Sequence, residues 1–184
     1  MDYNAIIDKY YGAVDSKLKD LLIEHSQSVT QRALQIVFMH PELDIDVDFI
    51  EEAAMLHDIG IVGCNAPGIF CTGSEPYICH GIIGAEMLRS EGYPEHARVC
   101  ERHTGAGITS EEIASQHLPL PQRDYLPETI EEIIICYADK FFSKSHPEKE
   151  KTYEEAQRSL AKFGEAGVER FKKWHDMLEA EKLK

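Results

Sequence analysis

The chain has 184 residues, 43% of them hydrophobic, and 33 acidic against 19 basic side chains leave a formal charge of −14. That is ample apolar material for a buried core, which excludes an intrinsically disordered chain. The acidic excess runs through the whole sequence, which excludes duplex nucleic acid and anionic membrane as partners, because phosphate surfaces need a basic patch.

The opening residues, MDYNAIIDKYYGAV, lack a basic region followed by an apolar stretch and a small-residue cleavage site. The longest apolar run, residues 133–138, falls far short of the roughly 20 that span a bilayer. A soluble, cytoplasmic chain is expected. Five cysteines (Cys64, Cys71, Cys79, Cys100, Cys136) at irregular spacing fit reduced thiols better than a disulfide framework. The sequence carries no mark of oligomeric state.

In chain order, Leu18, Leu21, Leu22, Val29, Ala33, Ile36 and Val37 recur at three- and four-residue steps, which predicts one long helix over 16–38 with Ser16 as its N-cap. Acidic residues 44–48 supply caps for a second helix, about 47–58, whose inward face reads Ile50, Ala53, Ala54, His57, Asp58; Gly60 and Gly63 stop it. Residues 62–77 carry glycines, prolines and cysteines without periodicity, and read as a long loop of the kind that forms lids or substrate walls. Helices follow at about 80–91, 94–103 and 110–117, divided by the turn Glu91-Gly92-Tyr93 and the stop Gly105-Ala106-Gly107. After Pro119, Pro121 and Pro127 comes a strongly apolar helix, about 128–144, expected to be central, then an amphipathic tail of two covering helices within about 148–182. No alternating run is long enough for a sheet. The expected fold is all-α, one compact helical domain over 1–184 with its core in about 16–145.

The informative anomalies are polar. His25 sits where the apolar stripe of the first helix calls for a hydrophobe, and alone it would read as a hydrogen-bonded core residue. The anomaly recurs, however: His57 and Asp58 close the buried face of the second helix, His80 opens the next, His103 shares a face with Val99 and Cys100, and Asp139 shares one with Ile135 and Phe142. Burying unpaired carboxylates is costly, so two aspartates and four histidines pointing inward make sense together around positive charge. Imidazole and carboxylate without thiolate suit Fe, Mn, Zn, Co or Ni, and six protein ligands are too many for one catalytic ion with an open position, so two ions share them better. Neighbours on a helix diverge by about 100°; His57 would then serve one ion while Asp58 bridges both.

These residues carry a resemblance. The order His25, His57-Asp58, Asp139, with the strings His25-Ser26, Met55-Leu56-His57-Asp58-Ile59-Gly60 and Tyr137-Ala138-Asp139, is similar to the HD-domain superfamily of metal-dependent phosphohydrolases and its HDIG subgroup, over roughly residues 16–145. His80-Gly81 and Glu101-Arg102-His103-Thr104-Gly105 match the dinuclear branch, which implies that His80 and His103 complete a second metal site. The closest likeness is to a small bacterial and archaeal HDIG group with a His-Thr-Gly-Ala-Gly-like segment (residues 103–107 here), which implies no particular substrate. Ile61 stands where many HDIG members place a phosphate-contacting lysine; Thr104 follows His103 where cyclic-dinucleotide enzymes carry a second histidine; Gly92-Tyr93-Pro94 reads as a coincidental turn; and Leu21 replaces the glutamate of trinuclear sites, which argues for two metals.

Two divalent ions against two aspartates leave about two positive charges, which would attract a small phosphorylated substrate. The expected activity is hydrolysis of a small phosphoester or nucleotide by a metal-bridging hydroxide, with Asp58 as the catalytic residue orienting it and iron or manganese favoured. Thr104, Lys140 and Lys144 are the candidates to hold the phosphate, against the plainer reading of surface or capping residues. Two rival readings stay open: a di-iron oxygenase of the same superfamily, which shares the ligand order and cleaves a polyol or phosphonate, and a non-catalytic metal or ligand sensor. Cys64, Cys71 and Cys79 miss the tight spacings of zinc modules and are read as packing a lid over the centre. His96, on the face of Val99 and His103, could act as an acid beside the ligands but reads better as a surface residue after Pro94-Glu95, and His40, His117, His146 and His175 read as boundary or exposed positions.

Overall fold

The computed structural model describes residues 1–146 and 149–179, and among them the chain is all-α. Helices run α1 Tyr3–Tyr11, α2 Ser16–Met39, α3 Val47–Leu56, α4 His80–Ser90, α5 Pro94–Arg102, α6 Ser110–Gln116, α7 Ile130–Asp139, α8 Tyr153–Ala161 and α9 Glu165–Leu178. The starts are written in the sequence. Asp2, Asp15, Asp46 and Thr129 each accept a hydrogen bond from a first-turn N–H, and Thr109 with Glu112 and Thr152 with Glu155 form reciprocal capping boxes. The cap of α2 is thus Asp15, one residue before the expected Ser16. The tail does form two helices, α8 and α9; residue 148 and residues 180–182 of the expected covering segment lie outside the described residues.

Two apolar clusters organise the packing. One gathers Val29, Ala33 and Ile36 of α2 with α3, α7, α8 and α9; the other gathers Leu18 and Leu22 of α2 with α1, α4 and α5. His25 falls between Leu22 and Val29, at the seam where α2 passes from one cluster to the other. Likewise α3 leaves the first cluster at Ala54 and enters the second at Met55 and Leu56, immediately before His57. The polar residues thus lie between the two apolar clusters rather than inside either.

Several boundaries differ from the sequence reading. Helix α1 had no predicted counterpart: it buries only Ile6, Ile7 and Tyr11, too few for a periodic signal, and Tyr11 donates to the carbonyl of Ile59 at 2.8 Å. Helix α3 stops at Leu56 rather than 58, and a tight turn, Ile59–Gly63, follows. Residues 62–77 are not structureless: strands β1 Asn65–Ala66 and β2 Cys71–Thr72 pair antiparallel, Asn65 with Thr72 and Ala66 with Cys71. The central helix ends at Asp139 rather than 144. Just past that end Lys151 donates its Nζ to the carbonyls of Lys140 (3.3 Å) and Phe142 (3.2 Å), and its N–H to that of Phe141 (2.7 Å), which ties down the non-helical segment. No helix among the described residues is long and apolar enough to cross a membrane.

Gly60 fixes the entry of α4. A Cβ there would meet the His80 carbonyl oxygen at 2.1 Å and the Gly84 nitrogen at 2.3 Å, both rigid backbone. The turn after Asp58 and the helix that begins with His80 therefore touch main chain to main chain. Gly60→Ala should destabilise the protein by about 3 kcal/mol or more, whereas Gly68→Ala, where nothing lies within 4 Å, should leave the urea midpoint unchanged.

Candidate metal centre

Three of the four histidines are aimed by one local device. His57, His80 and His103 each occupy the position just past a helical turn. Each ring donates its Nδ1–H to the carbonyl three residues back: His57 to Ala54 (2.6 Å), His80 to Tyr77 (2.6 Å), His103 to Cys100 (2.8 Å). With a proton held on Nδ1, every Nε2 is the atom turned inward, and it offers a lone pair where its ring is neutral, as in His80 and His103. His25, on α2, places its Nε2 3.0 Å from Asp139 Oδ1, while its Nδ1 is buried without a partner.

These groups converge on Asp58, which is wholly buried. Its Oδ2 lies 3.1 Å from His25 Nε2 and 3.0 Å from His57 Nε2; its Oδ1 lies 3.4 Å from His80 Nε2 and 3.3 Å from His103 Nε2. Two donor sets result: His25, His57, Asp58 and Asp139, and Asp58, His80 and His103. Asp58 is the shared member. The adjacent pair His57 and Asp58 meets at one set despite the expected divergence, because α3 has ended and Asp58 (φ −105°, ψ 8°) is no longer helical.

The donor chemistry fits cations. His80 Nε2 and His103 Nε2 face each other at 3.1 Å with both Nδ1 atoms already donating to carbonyls, so two lone pairs oppose one another. His57 Nε2 and both Asp58 oxygens are buried without an aligned hydrogen-bond partner. Acceptors crowded in this way repel unless positive charge lies among them. Nitrogen and oxygen atoms bound at about 2.0–2.2 Å around one ion sit roughly 2.8–3.6 Å from each other, according to the coordination geometry, a range that contains the spacings of Asp58 to its imidazoles. A buried His/Asp cluster of this kind could hold divalent metal ions.

Protonation reports the same demand. Burial alone would depress the His57 imidazole, but the Asp58 and Asp139 carboxylates carry it up to about 9. Burial pushes His80 down to about 3 and lowers His103, so both present neutral rings at neutral pH. Burial would raise both aspartates; Lys144 and His57 beside Asp58, and Lys140 and His25 beside Asp139, hold them well below the carboxylate range.

The phosphate candidates stand close by. Lys144 Nζ lies 2.5 Å from Asp58 Oδ2 and Lys140 Nζ 2.6 Å from Asp139 Oδ2, with side chains only 13% and 10% exposed. Neither is the free surface lysine of the plainer reading, and neither lies within α7, because that helix stops at Asp139. Thr104, half-buried, lines a cavity that opens beside His80. Sequence reasoning missed Tyr77, whose ring stacks on His80 at 4.8 Å and whose hydroxyl bonds to Lys144; its place in the aperiodic loop gave no signal. His96 is a correction: it is buried, pairs with Glu52 at 3.2 Å and packs on Phe49 and Tyr93, away from the centre. His40 is buried too, between Glu42 and the Leu178 carbonyl. Cys64 and Cys71 are buried and free, Cys79 is half-buried and free, and no cysteine joins a metal-ligand cluster among the described residues.

A family model described as HD domain matches residues 22–143. Proteins named tRNA (cytidine(56)-2'-O)-methyltransferase from Picrophilus torridus and Thermoplasma volcanium are 41% and 36% identical over 125 and 143 residues. Those stretches are 67% and 75% of this chain but 32% and 38% of theirs, so the chain spans about a third of these relatives. An uncharacterized protein of Methanocaldococcus jannaschii is 35% identical over 135 residues, 72% of each chain. No solved structure matches.

Two expectations follow. Elemental analysis should find two ions per wild-type chain, one in His80→Ala, and at most a trace in Asp58→Ala, which removes the shared ligand. In the metal-free protein the raised His57 pKa contributes stability that is fully present below its ordinary 6.5 and is lost as pH rises through about 9. Scanning calorimetry should therefore show the metal-free melting temperature falling between those pH values, and metal loading should flatten that slope.

Proposed function

The chain belongs to the HD-domain family, and from that premise we propose that it is a cytoplasmic metal-dependent phosphohydrolase of the HDIG subgroup, acting on a small phosphoester or nucleotide. The observation that carries the reading is the division of Asp58, one oxygen facing His25 and His57 and the other facing His80 and His103. That division suits a pair of ions sharing one carboxylate, with His25, His57 and Asp139 on one and His80 and His103 on the other. Iron or manganese is favoured by a shell of imidazole and carboxylate without thiolate. When bound, such a pair lowers the pKa of a coordinated water toward about 7 and neutralises charge developing on phosphoryl oxygens.

The remaining tasks fall to the chain. Asp58, kept ionised by its cationic neighbours, orients the nucleophile through whichever oxygen lone pairs remain. The three donors of Lys144 and those of Lys140, each paired with an aspartate, can turn to phosphoryl oxygens at the mouth of the site. Burial keeps the Tyr77 hydroxyl protonated beside Lys144, which makes it a donor toward the substrate rather than an acceptor. Thr104 adds a hydroxyl on the His80 side. Five free cysteines fit a reducing compartment. As for the methyl transfer in the names of two relatives, we place it in the two thirds of those proteins that the chain does not span.

A panel of phosphomonoesters and phosphodiesters, assayed with manganese or nickel under nitrogen, tests the proposal. Turnover without oxygen is expected, falling at least about a hundredfold in Asp58→Asn, since even outer partners of metal ligands cost 10–100-fold. Lys144→Met should raise KM roughly tenfold, the worth of a hydrogen bond to a charged group. Oxygen consumption with iron and no anaerobic turnover would point to the oxygenase reading instead; metal binding without any turnover would point to a sensor.

A further inference from the structure

Seven large apolar side chains are exposed among the described residues, and four of them, Phe38, Met39, Leu43 and Val47, fall within ten consecutive positions. They occupy the bend that leads from the last turn of α2 to the first residue of α3. The bend is tied down. The His40 N–H donates to the Val37 carbonyl at 2.9 Å and the Leu43 N–H to the His40 carbonyl at 3.0 Å, while the buried His40 ring sits between Glu42 (2.8 Å) and the Leu178 carbonyl (2.7 Å). Ile36 and Val37 already supply the inward face of α2 there, and Ile45 and Phe49 pack from the connector and α3. The four exposed side chains are therefore surplus to the core, and Phe38 leaves 69% of its surface in water.

The surroundings carry one sign of charge. No lysine or arginine occurs from Ala33 to Leu88, whereas Glu42, Asp44, Asp46 and Asp48 alternate with the apolar residues of the bend. Asp44 and Asp48 are exposed and form no ion pair among the described residues. Beside Asp46 and Phe49 a cleft of about 380 Å³ continues this face, lined by Glu95, Glu131 and Glu132 and by one cation, Arg98. That cation is already taken: it bonds to Glu132 at 2.7 Å and to Glu128 at 2.8 Å. Glu95 and Glu131, like the two aspartates, have no ion-pair partner among the described residues. None of these side chains belongs to the donor sets, to the cavity at Asp139 and Lys144 or to the cavity beside His80.

We propose that the α2–α3 bend and the acidic cleft beside it form a protein-docking surface, and that its occupant is a segment of another protein presenting apolar side chains flanked by lysine or arginine. Large apolar residues gathered at one exposed place and rimmed by polar groups mark a protein contact. Here the rim also fixes the sign of the partner. Cations beside its apolar residues would meet Asp44, Asp48, Glu95 and Glu131, which lack partners of their own, and such complementarity selects the partner more than it adds affinity. The same charge disfavours other occupants: a second copy would set acid against acid, and an anionic membrane or a nucleic acid would be repelled. Two relatives carry the stretch that matches this chain as about a third of a longer protein, so a domain of this kind does occur joined to further protein. Docking at the bend would leave both cavities at the centre open, and it holds whatever reaction the centre performs.

The test titrates a synthetic amphipathic helical peptide of leucine and lysine onto the full chain at about 0.15 M salt, where long-range attraction is screened, and follows amide chemical shifts. Peptides of the same length made of leucine and glutamate, and of glutamine and lysine, are the controls. Shifts should concentrate at residues 38–49 and 95–98, and the leucine–lysine peptide should bind at least tenfold more tightly than either control. Phe38→Ser combined with Leu43→Ser should weaken it tenfold or more, and Asp44→Asn combined with Asp48→Asn severalfold, whereas Phe70→Ser, at an exposed residue next to β2, should change nothing. The asparagine pair removes no packing, so it decides the matter if the serine pair lowers the melting temperature. Equal binding of the glutamine–lysine peptide, shifts spread over the whole acidic surface, or indifference to both pairs would overturn the proposal. So would a wild-type dimer in sedimentation that Phe38→Ser dissociates, which would assign the face to a second copy.

Discussion

The buried carboxylate of Asp58 is the constraint around which the molecule is arranged. A wholly buried anion must be compensated, and this one is approached by four imidazole nitrogens within 3.0–3.4 Å and by Lys144 at 2.5 Å. The same neighbours would be incompatible in a metal-free polar core: His80 and His103 turn lone pairs on each other, and neither is protonated at neutral pH. Cationic charge at the centre resolves both problems at once. Meanwhile the raised His57 proton, Lys140 and Lys144 supply part of it.

The scaffold economises on the means of aiming these groups. A helix end leaves carbonyls without donors, and a histidine placed just past it can satisfy the carbonyl three residues back while its other nitrogen points onward. The chain uses this at α3, at the turn before α4 and at α5. The glycine contact between the Ile59–Gly63 turn and α4 then sets the distance between the His57-Asp58 corner and His80. Rigid backbone contacts, rather than long flexible side chains, thus determine the spacing of the donors.

Family membership rests on residues 22–143, which include all six candidate ligands, whereas the α8–α9 hairpin lies outside that span and closes the cavity beside His80. The candidate ligands sit on packed helices, while the α8–α9 hairpin carries exposed residues such as Phe163.

Much of this was legible in the sequence, because the signals were local. Apolar periodicity along α2 and α7, acidic and threonine caps, and polar residues at positions that demanded hydrophobes all follow from the period of a helix, so the all-α fold and the inward placement of the six donors could be read directly. What stayed hidden depends on approach between distant segments. Helix α1 buries too few residues to register, and α3 and α7 end earlier than their patterns where tertiary contacts, Gly60 against α4 and Lys151 against the carbonyls of Lys140 and Phe142, take over the chain. For the same reason Asp58 faces two donor sets, Lys144 is drawn against a buried carboxylate, Tyr77 joins the site from an aperiodic loop, and His96 is buried against Glu52. Residue identity set which groups needed partners; only the folded chain decided which partners they met, since that depends on distances no linear pattern encodes.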